Sequence, residues 1–169
     1  MIPPSLRLFA LGTALWATAG AQAQVAHPPP AGWRSFEIPQ SSTSLDYSAG
    51  SFSAAGASEK GFGERFQSHE QGATLSVYAQ PRKAGETPAS YLQNNLQVPP
   101  SAIEYKRVTR TFFAISMERE GTIYYSRCNF SVGAPGVSHC FDLAYPQREK
   151  RAWDRIVTRI SLSLRPLEG

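Results

Sequence analysis

Two cysteines, placed in neighbouring stretches of strand-forming residues, constrain the fold of this chain more than any other feature. Cys128 lies in a run rich in aromatic and β-branched residues at 122–130, and Cys140 lies in a second run at 137–145. Glycine and proline residues at 133–136 separate the two runs, which is typical of a hairpin turn. If the strands pair so that partner numbers add up to 268, the two cysteines lie directly opposite each other. Opposed cysteines can form a disulfide, so the sequence predicts an antiparallel hairpin closed by a Cys128–Cys140 bridge.

The first 23 residues have the pattern of a secretory signal peptide. Arg7 supplies a positive charge, residues 8–19 are apolar, and the small residues Ala21 and Ala23 frame a cleavage site. The apolar run is shorter than the roughly 20 residues that span a bilayer, so we expect cleavage near Ala23. The sequence therefore predicts a periplasmic or secreted protein without a transmembrane segment in the mature chain. Such a compartment allows a disulfide to form and persist.

The remaining chain divides into a short proline-rich leader, residues 24–32, and a single domain, residues 33–169. Alternating apolar and polar residues, interrupted by glycine and proline turns, predict about seven strands joined mostly by hairpins. Residues 50–58 are rich in glycine, alanine and serine, and we expect a loop there. Thr87 and Pro88 indicate a helix start, because threonine caps a helix and proline tolerates its first position.

A second helix, from residue 147 to about residue 161, has the strongest pattern in the chain. Four apolar residues recur at the spacing that places them on one helix face, where we expect them to pack against the sheet: Trp153, Ile156, Val157 and Ile160. The fold class is therefore α+β. It consists of a mostly antiparallel sheet of about seven strands, covered by two main helices, with one hairpin closed by the disulfide.

Several short motifs in the domain resemble a known family of folds. Residues 45–50 read Leu-Asp-Tyr-Ser-Ala-Gly, and this stretch resembles the Asp-Tyr-Pro-Ala-Gly opening of small exported domains with the PsbP/Mog1-like fold. Ser48 stands where that family usually has proline. The ending, residues 145–165, and the order of strands and helices are similar too. The middle, residues 107–110 and 125–130, resembles a group of uncharacterised exported proteins of alphaproteobacteria. The fold has no single activity, so the resemblance indicates no particular reaction. It implies a binding or assembly accessory domain.

Ser138, His139 and Asp142 are close in sequence and have the residue types of a hydrolase triad. Because successive side chains of a strand point to opposite faces, His139 is expected to point away from the other two. The chain also lacks the Gly-x-Ser-x-Gly motif of many serine hydrolases and a glycine-rich phosphate loop before a helix. We therefore predict no catalytic residue and no cofactor. The cysteine spacing does not match a metal site, so we also predict no metal.

The last helix carries four arginines within an arc of about 80°, at 100° per residue: Arg148, Arg151, Arg155 and Arg159. Guanidinium groups pair bidentately with carboxylates and phosphates, so this face is a candidate docking surface for an anionic partner. The alternative is a solvated helix face, since such charge patterns are typical of exposed helices.

The whole chain has a net charge of +4, with both signs mixed along the sequence. This mild charge and the expected export disfavour nucleic acid as a partner, whereas a periplasmic protein partner stays open. The sequence thus favours a non-catalytic periplasmic binding or accessory domain of unknown ligand. The alternative is a small periplasmic hydrolase whose active site is assembled from residues far apart in the sequence.

Overall fold

The computed structural model describes residues 29–70, 72–96, 98–130 and 136–166. The predicted signal peptide lies outside the described residues, as do most of the leader and most of the predicted hairpin turn. Within these ranges, no helix combines the length and the apolar character that crossing a membrane requires.

The described ranges form ten strands and two α-helices. In chain order these are β1 (Trp33–Ile38), β2 (Thr43–Ser48), β3 (Phe52–Ala57), β4 (Phe62–Ser68), β5 (Thr74–Pro81), α1 (Pro88–Asn95), β6 (Ile103–Val108), β7 (Phe112–Arg119), β8 (Thr122–Phe130), β9 (Val137–Pro146), α2 (Lys150–Ser163) and β10 (Arg165–Pro166). Seven strands form the main antiparallel sheet in the order β3-β4-β5-β9-β8-β7-β6, and the other three form a small sheet in the order β1-β2-β10. The predicted α+β class is confirmed, with the small sheet as an addition.

The two faces of the main sheet are covered by different elements. Helix α2 and the small sheet cover the α2 face, whose buried residues include Leu75, Val77, Phe141, Leu143 and Tyr145. The shorter helix α1 covers part of the α1 face, whose buried residues include Tyr78, Phe113, Ile115, Cys128 and Cys140. Strand alternation explains this division, because neighbouring residues of a strand point to opposite faces. Each face of the sheet therefore has a core of its own.

Helix α2 packs against the sheet through the stripe predicted from the sequence. Trp153, Val157 and Ile160 are buried, and the Trp153 ring centroid lies 5.7 Å from that of Tyr145. Ile156 packs against the same core but is only partly buried. The predicted contact is therefore confirmed, and its centre is Trp153 rather than Ile156.

Helix α1 begins with the cap that the sequence predicts. The Thr87 hydroxyl accepts a hydrogen bond from the Ser90 N–H at 3.1 Å, and the Ser90 hydroxyl accepts one from the Thr87 N–H at 2.9 Å. Pro88 occupies the first helical position, where a missing N–H has no cost. The helix buries Tyr91 and Leu92 against the α1 face, so this short element covers only part of that face.

Strand β3 corrects the expectation of a loop at residues 50–58. It pairs with β4 at the edge of the main sheet, and Phe52 anchors it in the core of the α2 face. The pairing is irregular between Ala54 and Ala57, where Gly56 has a φ of +106°. Small residues give no apolar alternation, so the sequence pattern conceals this strand. Pairing with β4 forms it nevertheless, because strand preference depends strongly on tertiary context.

The two edge strands of the main sheet carry different polar features. At one edge, Glu64 Oε1 accepts a hydrogen bond from the Gly56 N–H at 3.1 Å, and Arg65 Nη2 donates to the Ala55 carbonyl at 3.3 Å. At the other edge, residues 104–107 of β6 read Glu-Tyr-Lys-Arg and are exposed. Side-chain hydrogen bonds from β4 therefore occupy backbone groups of β3 at one edge, and exposed charged side chains line β6 at the other.

Candidate functional site

The predicted register of the cysteine hairpin is observed along β8 and β9. Thr122 pairs with Pro146, and partner numbers add up to 268 throughout the pairing. Cys128 and Cys140 are direct partners with sulfur atoms 2.01 Å apart, and both residues are fully buried. The disulfide is confirmed, and its place in the α1-face core gives it a structural role. A buried bridge is poorly accessible to an attacking thiolate.

The three residues that have the types of a hydrolase triad are separated by the sheet, as strand alternation predicts. Ser138 and Asp142 lie on the α1 face, whereas His139 is buried on the opposite side with its Nδ1 2.7 Å from Thr43 Oγ1. Burial, and next the positive charge of Arg82, lowers the pKa of His139. Its imidazole therefore stays neutral at neutral pH and links β2 to β9.

The arginine face of the last helix is divided by its contacts. Arg148 Nε lies 3.5 Å from Glu149 Oε1, and the Arg159 guanidinium carbon lies 4.7 Å from the Trp33 ring centroid. Two arginines of the face are exposed and make no ion pair with a described residue: Arg151 and Arg155. Docking of an anionic partner on this face stays a prediction.

A polar cluster that the sequence analysis missed lies on the α1 face, centred on Asp142. Ser126 of β8 is the direct cross-strand partner of Asp142 and donates a hydrogen bond to its Oδ1. Tyr78 of β5 donates to Oδ2 at 3.1 Å, and Lys60 Nζ lies 2.6 Å from the same oxygen. A carboxylate has about four acceptor positions, and these three donors occupy all but one of them. The remaining position is on Oδ1, and the Asp142 side chain is 22% exposed.

Two tyrosines, Tyr78 in this cluster and Tyr91 near it, are kept protonated by their surroundings. Burial, and next the negative charge of Asp142, raises the pKa of Tyr78 far above its ordinary value. Burial and then Asp142 also raise the pKa of Tyr91 to about 12, and the Tyr91 hydroxyl donates to Gln80 Oε1. At neutral pH both phenols are therefore fixed hydrogen-bond donors, and neither acts as a base.

The cluster forms the floor of an open cavity of about 440 Å³, which we call the sheet cleft. Its polar lining includes Lys60, Ser76, Ser126 and Asp142, and its less polar walls include Leu96, Met117 and Tyr124. Tyr124 is 42% exposed at the rim. Ligand sites commonly combine apolar walls with a few fixed polar groups in volumes of about 300–1,000 Å³. The sheet cleft has this composition.

Two other features limit the chemistry of the cleft. The Lys60 side chain is more than half exposed and forms an ion pair with Asp142, so it is a surface residue rather than a buried one. Within the described residues, no group of three or more histidine, cysteine, aspartate or glutamate side chains is placed to hold a metal ion. The arrangement supplies hydrogen-bond recognition, and its carboxylate is already engaged by three donors.

Comparison with known proteins identifies the fold and no more than the fold. No family model matches the sequence, and no curated protein matches it. The fold is similar to the solution structure of cyanobacterial PsbP from Synechocystis sp. PCC 6803, with a TM-score of 0.60 over 88% of this chain and 98% of that chain. The two sequences are 10% identical over the match. The resemblance to exported alphaproteobacterial proteins stays a prediction, and the structural similarity establishes a PsbP-like fold for this chain.

Proposed function

We propose that the protein is a non-catalytic periplasmic binding domain that holds its ligand in the sheet cleft. The observation that carries this proposal is the carboxylate of Asp142, fixed by three donors at the floor of an open cavity. A general base needs a lone pair directed at the proton that it removes. Most of the acceptor positions of Asp142 are already in use, which favours recognition over catalysis.

The lining of the cleft defines the kind of group that it accepts. The open acceptor position of Asp142 suits an N–H or O–H donor, and Met117 and Tyr124 beside it suit apolar surface. Such a group occurs in a small amphipathic molecule and in a side chain of a protein partner. Either occupant agrees with a binding or accessory role, and the experiment below identifies it by mass.

Photocrosslinking in intact cells of the native host tests this proposal. We expect Tyr124→p-benzoylphenylalanine, at the cleft rim, to give one adduct of defined mass on irradiation. The same photoreactive residue in place of Leu162, which is 76% exposed on α2, is the matched control and should not give that adduct. Adding Asp142→Asn should reduce the adduct about tenfold, because a hydrogen bond to a charged group contributes that much to affinity.

Two kinds of result contradict the proposal, the first from crosslinking and the second from an activity assay. One is an adduct of equal yield at both positions, or no adduct at Tyr124 while both variants keep the melting temperature of the wild type. The other is hydrolysis of a chromogenic ester by the wild-type protein that is abolished by Ser126→Ala. That result favours the hydrolase alternative, because Ser126 touches Asp142 inside the cleft.

The periplasmic location is a part of the proposal that rests on the pattern of residues 1–23. We expect the protein recovered from the host to begin at Gln24, because Ala21 and Ala23 frame the cleavage site. Intact-mass measurement of the protein from a periplasmic extract checks this expectation. A mass that includes the first 23 residues contradicts it, and a cytoplasmic enzyme of the host measured in the same extract controls for lysis.

A further inference from the structure

Two arginines from different strands lie side by side on the α2 face of the main sheet. Arg107 of β6 and Arg127 of β8 both pair with Ala114 of the strand between them. Residues directly opposite each other in a sheet share a face, so both side chains lie on the same side. Arg127 also pairs with Phe141, which belongs to the core of the α2 face. The two arginines are thus on the side of the sheet opposite to the sheet cleft.

Both guanidinium groups lie over one aromatic ring. The guanidinium carbon of Arg127 is 4.5 Å from the Phe112 ring centroid, and that of Arg107 is 5.3 Å from the same centroid. The two positive charges are therefore within about 10 Å of each other, which is the screening length at 0.1 M salt. They approach Phe112 from the two strands that flank β7. We call Arg107 and Arg127 the arginine pair.

Contacts from neighbouring side chains hold Arg127 in place. Its Nη1 donates to Ser161 Oγ at 3.0 Å, and its Nε donates to Asn129 Oδ1 at 3.1 Å. Asn129 is itself fixed by a hydrogen bond from its Nδ2 to the Leu164 carbonyl at 2.8 Å. The guanidinium of Arg127 is therefore oriented before any ligand arrives, which reduces the entropy that binding costs.

Among the described residues, no acidic side chain forms an ion pair with the arginine pair. Burial, together with the neighbouring charge of Arg107, lowers the pKa of Arg127. A partly buried charge such as that of Arg127 is unfavourable without a counterion, so an anion placed beside it is stabilising.

We propose that the arginine pair binds two carboxylates of one ligand, one at each guanidinium. Carboxylate oxygens match the planar fork of arginine. The two guanidinium groups come from strands on either side of β7, so two linked carboxylates of one ligand can each meet one of them. Free dicarboxylates and glutamates spaced two apart on an extended protein segment share this chemistry, because alternate side chains of a strand lie on one face about 7 Å apart.

Isothermal titration calorimetry at low salt tests the arginine pair with three probes: glutarate, a capped Glu-Gly-Glu peptide and inorganic phosphate. We expect both dicarboxylates to bind the purified protein. Arg107→Gln should lower the affinity for each of them about tenfold, because one carboxylate loses its charged hydrogen-bonding partner. Arg107 is exposed, so this variant should fold. Arg107→Lys should bind with intermediate affinity, since it keeps the charge without the fork.

The controls separate this site from general attraction by a basic surface. Arg34→Gln removes an exposed charge on β1 and should change both affinities by less than about twofold. Tighter binding of the peptide identifies a protein segment as the source of the carboxylates, and equal or tighter binding of glutarate identifies a free dicarboxylate. The proposal is overturned if phosphate binds as tightly as the dicarboxylates, if Arg107→Gln leaves binding unchanged, or if neither dicarboxylate binds.

Discussion

Replacing Trp153 with alanine is expected to lower the free energy of unfolding by about 3–5 kcal/mol, the range for truncating a large buried aromatic residue. Trp153 is 1% exposed at the centre of the contact between α2 and the main sheet. Its ring centroid lies 5.5 Å from that of Phe52 and 5.7 Å from that of Tyr145, and its Nε1 donates to Glu149 Oε2 at 3.3 Å. Urea unfolding followed by circular dichroism measures the loss.

Two other positions on α2 serve as controls for this prediction. Leu162→Ala, at a residue that is 76% exposed, should change the unfolding free energy by less than about 0.5 kcal/mol. The loss of unfolding free energy for Ile156→Ala should lie between those of Trp153→Ala and Leu162→Ala. Truncating a partly buried side chain costs less than the roughly 2–5 kcal/mol measured for a fully buried isoleucine. If Trp153→Ala costs no more than Leu162→Ala, the helix does not pack on the sheet through this stripe.

Removing the disulfide through the double substitution Cys128→Ala and Cys140→Ala is expected to cost about 3 kcal/mol of unfolding free energy. The bridge joins residues 12 positions apart, so breaking it releases a short loop and increases the entropy of the unfolded chain. Both residues are also fully buried, and their sulfur atoms contribute packing beneath α1. Urea unfolding of the oxidised wild type and the double variant gives the difference.

Reduction provides an independent check of the same bridge. Dithiothreitol should destabilise the wild-type protein by a similar amount and leave the double variant unchanged, because that variant has no cysteine to reduce. Because the bridge is buried, the wild type is first reduced in denaturant and its free thiols are counted. An equal effect of the reductant on both proteins, or none on the fully reduced wild type, would show that the bridge does not contribute to stability. In that case the hairpin register depends on packing alone.

The sequence predicts the parts of this fold that depend on local patterns. Helix α2 follows from the apolar spacing around Trp153, and the hairpin follows from two strand-forming runs that flank a turn. The predicted hairpin register also places two residues of the sheet cleft, Ser126 and Asp142, directly opposite each other. That pairing follows from the predicted register, whereas the residue types of Ser138, His139 and Asp142 indicate a triad that strand alternation separates.

Other parts of the sites depend on contacts that no local pattern records. Lys60 lies 82 positions before Asp142 and reaches it from the loop that precedes β4. His139 meets Thr43 across 96 positions, where the small sheet packs against the main one. The arginine pair requires β6 and β8 to flank β7, and only the strand order establishes that arrangement. Such contacts are set by the tertiary fold, so the sequence patterns alone do not predict them.

The edges of the main sheet determine how another protein approaches this one. A free edge recruits additional strands, either from a partner or from copies of the same chain. Here the bulge at Gly56 and the side chains of Glu64 and Arg65 engage backbone groups of β3, and Lys106 and Arg107 place positive charge on β6. Fibre growth by strand stacking is therefore disfavoured at both ends of the sheet. The two proposed sites accordingly lie on the faces of the sheet and not at its edges, one with a carboxylate in a cleft and the other with paired guanidinium groups.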